Sequence, residues 1–117
     1  MTKVNLTINV RQDSAEACTL DIQGEINAFA ENILMDAYNQ ASSAGARSIL
    51  LNFTNLQYMN SSGIGLLVTL LIRANRQKQR LLAYGLSDHY RQIFDLTRLN
   101  EAIIIFNSEA DALAAVV

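Results

Sequence analysis

The segment Tyr58–Gly65, Tyr-Met-Asn-Ser-Ser-Gly-Ile-Gly, is the part of the chain best suited to chemistry. It places two hydroxyls, Ser61 and Ser62, directly before an apolar run at helical spacing. The N-terminus of a helix carries partial positive charge and unpaired N–H groups, so a phosphate on either serine would be stabilised there. Gly63 and Gly65 would let a partner protein approach the backbone closely. An ordinary capped loop would have the same composition, and that purely structural interpretation stays open.

The same serines do not make a convincing catalytic centre. A serine nucleophile needs a base and an orienting acid, and His89, the only histidine, falls on a predicted surface helix. The Gly-x-Ser-x-Gly pattern of a nucleophile elbow is absent. Gly63-x-Gly65 lacks both the third glycine of a dinucleotide-binding loop and the lysine of a P-loop. The sequence therefore predicts a binding protein, not an enzyme.

No group of side chains suits a metal or a cofactor. Cys18 is the only cysteine, which excludes an intramolecular disulfide and a cysteine-rich zinc site. Its alternating apolar surroundings predict a small core residue. Glu109 and Asp111 fall at a predicted helix start, where dipole compensation explains them. We predict no catalytic residue, no metal site and no cofactor.

We call the segment Asn60–Gly63, which contains both serines, the serine turn. The helix after the serine turn carries more apolar residues than one buried face requires. The stripe predicted to face a sheet consists of Ile64, Leu67, Val68 and Leu71. The apolar residues left on other faces are Leu66, Leu70 and Ile72. Either they contribute to a partner surface, or another helix of the same domain covers them.

Hydrophobic periodicity predicts the element order ββαβαβαβα, an α/β fold with a largely parallel sheet. Alternation in Val4–Val10 and from Cys18 to Gly24, around a polar turn at 11–16, predicts an antiparallel hairpin. The remaining predicted elements are a helix over 27–44 with Phe29 on its inner face and Gly45 at its end, a strand over 48–53, a loop over 54–60, a helix over 61–79, a strand over 81–84, a helix over 87–96, a strand over 102–106 and a helix over 108–116.

Length and composition fit one domain over residues 1–117. Half of the residues are hydrophobic, there is no proline, and the net charge is −2. A mildly acidic chain has no general attraction for nucleic acid or anionic lipid. The basic residues Arg73, Arg76, Lys78 and Arg80 cluster at a predicted helix end, where they compensate the dipole and aid solubility.

The sequence shows no signal for export or membrane insertion. Its first residues lack the basic segment and apolar run of a signal peptide. Its longest apolar stretch, Ile64–Ile72, is too short to span a bilayer. We therefore expect a cytoplasmic protein without direct membrane insertion.

Several motifs, in their order and spacing, resemble the STAS domain family, which includes the bacterial anti-sigma-factor antagonists. They span nearly the whole chain: Gly24-Glu-Ile26, Ile49-Leu-Leu-Asn-Phe53, Tyr58-Met-Asn-Ser-Ser-Gly-Ile-Gly65 and Arg91-Gln-Ile-Phe-Asp-Leu96. The resemblance implies a four- to five-stranded mixed sheet with helices packed mainly on one side.

The resemblance also implies partner switching. In this family the unmodified antagonist binds an anti-sigma factor, often a serine-protein kinase, and so frees the sigma factor. Phosphorylation of a serine in the turn ends the complex, and a serine phosphatase restores the antagonist. Ser62 matches the usual acceptor and Ser61 is the alternative. The partner-binding residues implied are Asn27, Asn60, Ser61, Ser62, Gly63, Ile64, Gly65 and Leu66.

Two positions depart from the family pattern, because Asn60 and Asn27 stand where aspartate is usual. Asn60 can still cap the helix but cannot act as an anionic acceptor for the serine hydroxyl. The alternative function is therefore a non-phosphorylated STAS binding module in a signalling scaffold or a membrane transporter complex. The sequence leaves homodimerisation open.

Overall fold

A computed structural model describes residues 5–116 and begins with the predicted antiparallel hairpin. Strands β1 (Leu6–Ser14) and β2 (Ala17–Ile26) pair over nearly their whole lengths. The predicted polar turn at 11–16 is wrong in extent, because β1 continues to Ser14 and only two residues turn. Val4, assigned to the first strand, lies outside the described residues.

The remaining elements follow the predicted order. They are α1 (Glu31–Ser43), β3 (Ser48–Met59), α2 (Ser61–Arg76), β4 (Arg80–Tyr84), α3 (Asp88–Leu96), a 3₁₀ turn (Leu99–Glu101), β5 (Ile104–Phe106) and α4 (Glu109–Ala114). The strands form one sheet in the order β1-β2-β3-β4-β5, in which only the first pair is antiparallel. The predicted α/β fold with a mixed sheet is confirmed.

The helices lie mainly on one side of the sheet, as predicted. Parallel strands added in one direction by right-handed crossovers place their helices on the same face. The main core accordingly joins α1, α2 and α3 to Ile49 and Leu51 of β3. Leu50 points to the opposite face, where it packs in a smaller core with Leu82 and Ala112 of α4. Cys18 is buried in the main core, which confirms its predicted place.

Two predicted strand ends are wrong. The predicted loop at 54–60 is mostly strand, because β3 continues to Met59 and pairs with β2 as far as Ile26. Gly24 does not end β2 but lies within it, at φ +113°, beside a register shift between the two strands. The two strands thus continue to pair beyond Asn52, where the pairing of β3 with β4 ends, and the serine turn follows the end of β3.

Helix α2 buries a different face from the predicted one. The buried residues are Gly63, Leu67, Leu70 and Ala74. Leu70, predicted to be surplus, is fully buried, whereas Val68, predicted to face the sheet, is 39% exposed. The absence of a side chain at Gly63 lets the start of α2 approach the backbone of Ile26 in β2. Leu66 and Leu71 pack partly against the core, but Ile72 remains exposed.

Candidate functional site

The parallel pairing of β2 and β3 brings two chain segments to one edge of the sheet. Ile26 and Met59 are register partners at the ends of these strands. The backbone N–H of Asn60 donates to the carbonyl oxygen of Ile26 at 3.3 Å. Asn27 and Asn60 therefore follow paired strand ends, and α2 starts directly at Ser61.

Asn60 caps α2, as predicted. Its backbone is extended (φ −98°, ψ −174°), and its Oδ1 accepts a hydrogen bond from the N–H of Gly63 at 3.0 Å. A capping oxygen satisfies one of the otherwise unpaired donors of a helix N-terminus. The first turn of α2 contains no acidic residue. The cap is consequently neutral, and the helix dipole is not offset there.

Both serines are exposed at the start of α2. Within residues 5–116, neither their hydroxyls nor their backbone N–H groups have a hydrogen-bond partner. Two hydroxyls and two free donors therefore face outward together at the positive end of the helix dipole. This arrangement can receive an anionic group without displacing any protein contact.

The two glycines of the turn have different surroundings. A Cβ on Gly63 would overlap the backbone carbonyl of Ile26 and lie 2.8 Å from Cγ of Met59. Gly63 is buried, so its missing side chain serves the packing of α2 against β2. A Cβ on Gly65 would meet nothing within 4 Å. Gly65 is therefore the glycine at which a partner's backbone has access.

The other predicted partner-binding residues are less accessible than the serines. Asn27 and Asn60 are half-buried, and so are Ile64 and Leu66, whose side chains pack partly against the main core. The accessible part of the predicted set therefore consists of Ser61, Ser62 and Gly65.

Asn27 shapes the chain between β2 and α1. Its Oδ1 accepts from the N–H of Phe29 at 2.9 Å, and its carbonyl accepts from Ala30 at 3.1 Å. This Asx turn delays the start of α1 to Glu31. The prediction that Phe29 faces the core is consequently wrong, because its side chain is 57% exposed.

Two exposed aromatic residues flank the paired strand ends, and sequence reasoning missed both as candidates for partner binding. Phe29 follows β2, and Tyr58, next to the end of β3, is 51% exposed. Large aromatic side chains are enriched at the energetic centres of protein interfaces. The available signal was Tyr58 itself, an aromatic residue within a polar segment immediately before the serine turn.

Helix α3 supports the end of β3. The hydroxyl of Tyr90 accepts a hydrogen bond from the N–H of Met59 at 2.9 Å. His89 lies exposed beside it, with its ring edge-on to Tyr90 at a centroid distance of 4.9 Å. Within the described chain, no three His, Cys, Asp or Glu side chains are grouped as metal binding requires. No helix in this part of the chain has the length and apolar character to cross a bilayer.

The comparisons with known proteins agree with this architecture. The STAS domain family model matches residues 7–112. The chain is similar to a protein of Listeria monocytogenes named anti-sigma-B factor antagonist, with 24% identity over 108 residues, 92% of this chain and 95% of the relative. A Staphylococcus aureus protein of the same name is 30% identical over 80 residues, which cover 68% of this chain and 74% of the relative.

Solved structures share the fold. The phosphorylated form of the Bacillus cell fate determinant SpoIIAA is 20% identical, with a TM-score of 0.74, over 95% of this chain and 100% of the other. An anti-sigma factor antagonist from Mycobacterium paratuberculosis is 17% identical, with a TM-score of 0.78, over 94% of this chain and 92% of the other.

Proposed function

Because this chain belongs to the STAS domain family, we propose that it is an anti-sigma-factor antagonist that works by partner switching. The observation that carries the proposal is the pair of exposed serines, Ser61 and Ser62, at the N-terminus of α2. No acidic residue in the first turn offsets the partial positive charge of the helix dipole there. The curated relatives are named as antagonists, which are binding proteins and not enzymes. In this proposal the unmodified protein binds an anti-sigma factor through the serine turn and releases the sigma factor.

The proposed switch is phosphorylation of Ser62, with Ser61 as the alternative acceptor. A phosphate adds about −1.5 to −2 charge at neutral pH. Because the hydroxyls of both serines are exposed and unpaired, the modification disturbs no contact within the domain. In a desolvated interface the same charge is costly unless a cation meets it. Phosphorylation therefore ends partner binding while the fold persists, and a serine phosphatase reverses it.

The binding surface in this proposal surrounds the turn. Phe29 and Tyr58 supply exposed aromatic area at the strand ends, and Gly65 leaves the backbone of α2 open. Gly63 and Asn60 act from within the domain, because they fix where α2 begins. The anti-sigma factor, a serine-protein kinase in many STAS systems, would cover this surface. We place the protein in the bacterial cytoplasm as a single STAS module.

A second candidate is a STAS binding module that is not phosphorylated, within a signalling scaffold or a transporter complex. The observation that favours it is the hydrogen bonding of the two uncharged side chains Asn27 and Asn60. The Oδ1 atoms of Asn27 and Asn60 each accept a backbone hydrogen bond, and neither side chain can supply an anionic acceptor for a serine hydroxyl. A kinase acting on this turn must therefore orient the hydroxyl with its own groups.

The two candidates are separated by incubating the protein with the purified anti-sigma kinase of its own organism and ATP. Mass spectrometry should locate phosphate on Ser62, and Ser62→Ala should abolish it. The Ser62→Asp variant should no longer bind the kinase in a binding assay. Ser43→Asp, on an exposed serine of α1, should keep the kinase and serves as the matched control. Tight binding without phosphate on either serine of the turn excludes the switch and favours the second candidate.

A further inference from the structure

The outer face of α2 forms a continuous stripe that starts at the serine turn. At steps of three and four residues it comprises Ser61, Gly65, Val68, Ile72 and Arg76. On a helix of 3.6 residues per turn this stripe lies opposite the buried residues Leu67 and Leu70. The helix has 16 residues and is therefore about 24 Å long. We call these five residues the outer stripe of α2.

The middle of the outer stripe is apolar and exposed. Val68 and Ile72 are 39% and 47% exposed, one helical turn apart. A surface helix normally presents polar side chains on the face away from its core. Two adjacent branched apolar side chains on that face offer a contact area for the apolar face of another helix.

The far end of the outer stripe is positively charged. Arg73 and Arg76 lie in the last turn of α2, and Lys78 and Arg80 follow it, all four exposed. The three ion pairs found between residues 5 and 116 all belong to Arg11. This group of cations therefore has no carboxylate partner in the described structure, in a chain whose net charge is −2. The helix dipole favours cations in its last turn, where Arg73 and Arg76 lie, and it does not account for Lys78 and Arg80 beyond the helix.

We infer that the outer stripe of α2 binds an amphipathic acidic helix of the partner protein, with the acidic end of that helix against Arg73 and Arg76. The inference rests on the proposed function, since it names the partner's chemistry at the same surface. Carboxylates complement the cations, and the partner's apolar side chains cover Val68 and Ile72. A nucleic acid would leave this apolar pair without a counterpart, and two side chains offer little area for insertion into a lipid surface.

The probe for this inference is a fluorescein-labelled amphipathic peptide with leucines one turn apart and glutamates gathered at one end. Addition of this peptide to the ¹⁵N-labelled protein should shift the backbone amide signals of α2 around Val68 and Ile72 in ¹⁵N–¹H spectra. Arg76→Glu should weaken binding about fivefold or more, whereas Arg98→Glu should not, since it replaces an exposed arginine in the turn after α3. Ile72→Asn should also weaken it, and Ile104→Asn is the control because Ile104 is equally exposed, at 47%.

Three results overturn the inference: no binding of the acidic peptide, equal binding of the peptide with lysine in place of glutamate, or equal loss in the control variants. Binding of vesicles containing phosphatidylserine, lost in Arg76→Glu while the peptide does not bind, would assign the surface to lipid and overturn it too. The titration uses no kinase. Failure of the phosphorylation assay therefore leaves its result standing, and failure of the peptide to bind leaves the phosphorylation result standing.

Discussion

The hydroxyl of Tyr90 on α3 accepts a hydrogen bond from the backbone N–H of Met59, the last residue of β3, at 2.9 Å. Both residues are buried, so water cannot replace the phenol. The next residue is the capping Asn60. Tyr90 therefore fixes the point at which the strand leaves the sheet and the serine turn begins, although it belongs to a different element and never contacts a partner in the proposed function.

Replacing Tyr90 with phenylalanine should loosen this junction. The variant keeps the ring but leaves the buried N–H of Met59 without an acceptor, which costs about 1–3 kcal/mol. Urea unfolding should show that loss, and hydrogen exchange should become faster at the Met59 amide. Tyr58→Phe, which removes the hydroxyl of an exposed tyrosine, should change neither measurement. Unchanged exchange at Met59 in Tyr90→Phe would contradict a positioning role for Tyr90.

Alanine at the two glycines of α2 should have opposite effects. Gly65→Ala adds a methyl group in open space and gains helix propensity, so the free energy of unfolding should rise by about 0.5–1 kcal/mol. Gly63→Ala forces its Cβ against the Ile26 carbonyl, and overpacking of this kind typically costs about 1–3 kcal/mol. Denaturant unfolding of the two variants side by side provides the test. Equal stability would show that α2 can move away from β2 without loss.

The sequence predicted the element order well because period-two and period-3.6 patterns are strong in the central strands and helices. It failed at the extension of β3. Thr54–Met59 pairs with β2, yet four of its six side chains are exposed and only Met59 is buried. Backbone pairing at the end of a sheet leaves no period-two apolar signal, so local composition could not reveal this strand.

The candidate site was only partly predictable. Ser61, Ser62 and the cap at Asn60 are encoded within a few residues, and the local pattern located them. The rotation of α2 depends on which residues can approach β2, and Gly63 reveals its role only against the Ile26 carbonyl. Phe29 was misplaced because an Asx turn at Asn27 overrides the apparent helical period. A contact between distant segments therefore decided the error in α2, whereas a local side-chain hydrogen bond decided the error at Phe29.

Asn60 should tolerate aspartate better than alanine. Alanine removes the acceptor for the Gly63 N–H and should lower the free energy of unfolding by about 1 kcal/mol. Aspartate keeps that acceptor and adds a negative charge at the positive end of α2, worth about 0.3–1 kcal/mol. Thermal unfolding of Asn60→Ala, Asn60→Asp and the unmodified protein at neutral pH measures both effects. If Asn60→Asp is as unstable as Asn60→Ala, the hydrogen bond to the Gly63 N–H does not explain the contribution of Asn60 to stability.

Phe29 and Tyr58 should contribute to partner binding without contributing to stability. Both side chains are more than half exposed, so their removal creates no cavity in the core. We expect Phe29→Ala and Tyr58→Ala to weaken binding of the anti-sigma factor by at least about 1 kcal/mol each, as measured by calorimetry. Leu96→Ala is the matched control, since Leu96 is 85% exposed at the end of α3. Unfolding curves of all three variants should match the unmodified protein, and an equal loss of binding in Leu96→Ala would refute a specific role for the aromatic pair.

Protonation of Asp21 should account for part of the protein's loss of stability in acid. Burial opposes its ionisation, but hydrogen bonds from Arg11 and Asn52 and the charge of Arg11 outweigh burial and hold the pKa of Asp21 below its ordinary value. A carboxylate whose pKa is lowered by folding stabilises the protein above its unfolded pKa, about 3.9, and this stabilisation is lost as the pH falls through the folded pKa. Asp21→Asn should therefore cost up to about 1 kcal/mol at neutral pH, because the pair is partly exposed, and its stability should fall less steeply below about pH 4. Urea unfolding across acidic pH measures this slope, and Arg11→Gln should flatten it too, with little further change in the double variant. An unchanged slope in Asp21→Asn would assign the acid sensitivity to other carboxylates.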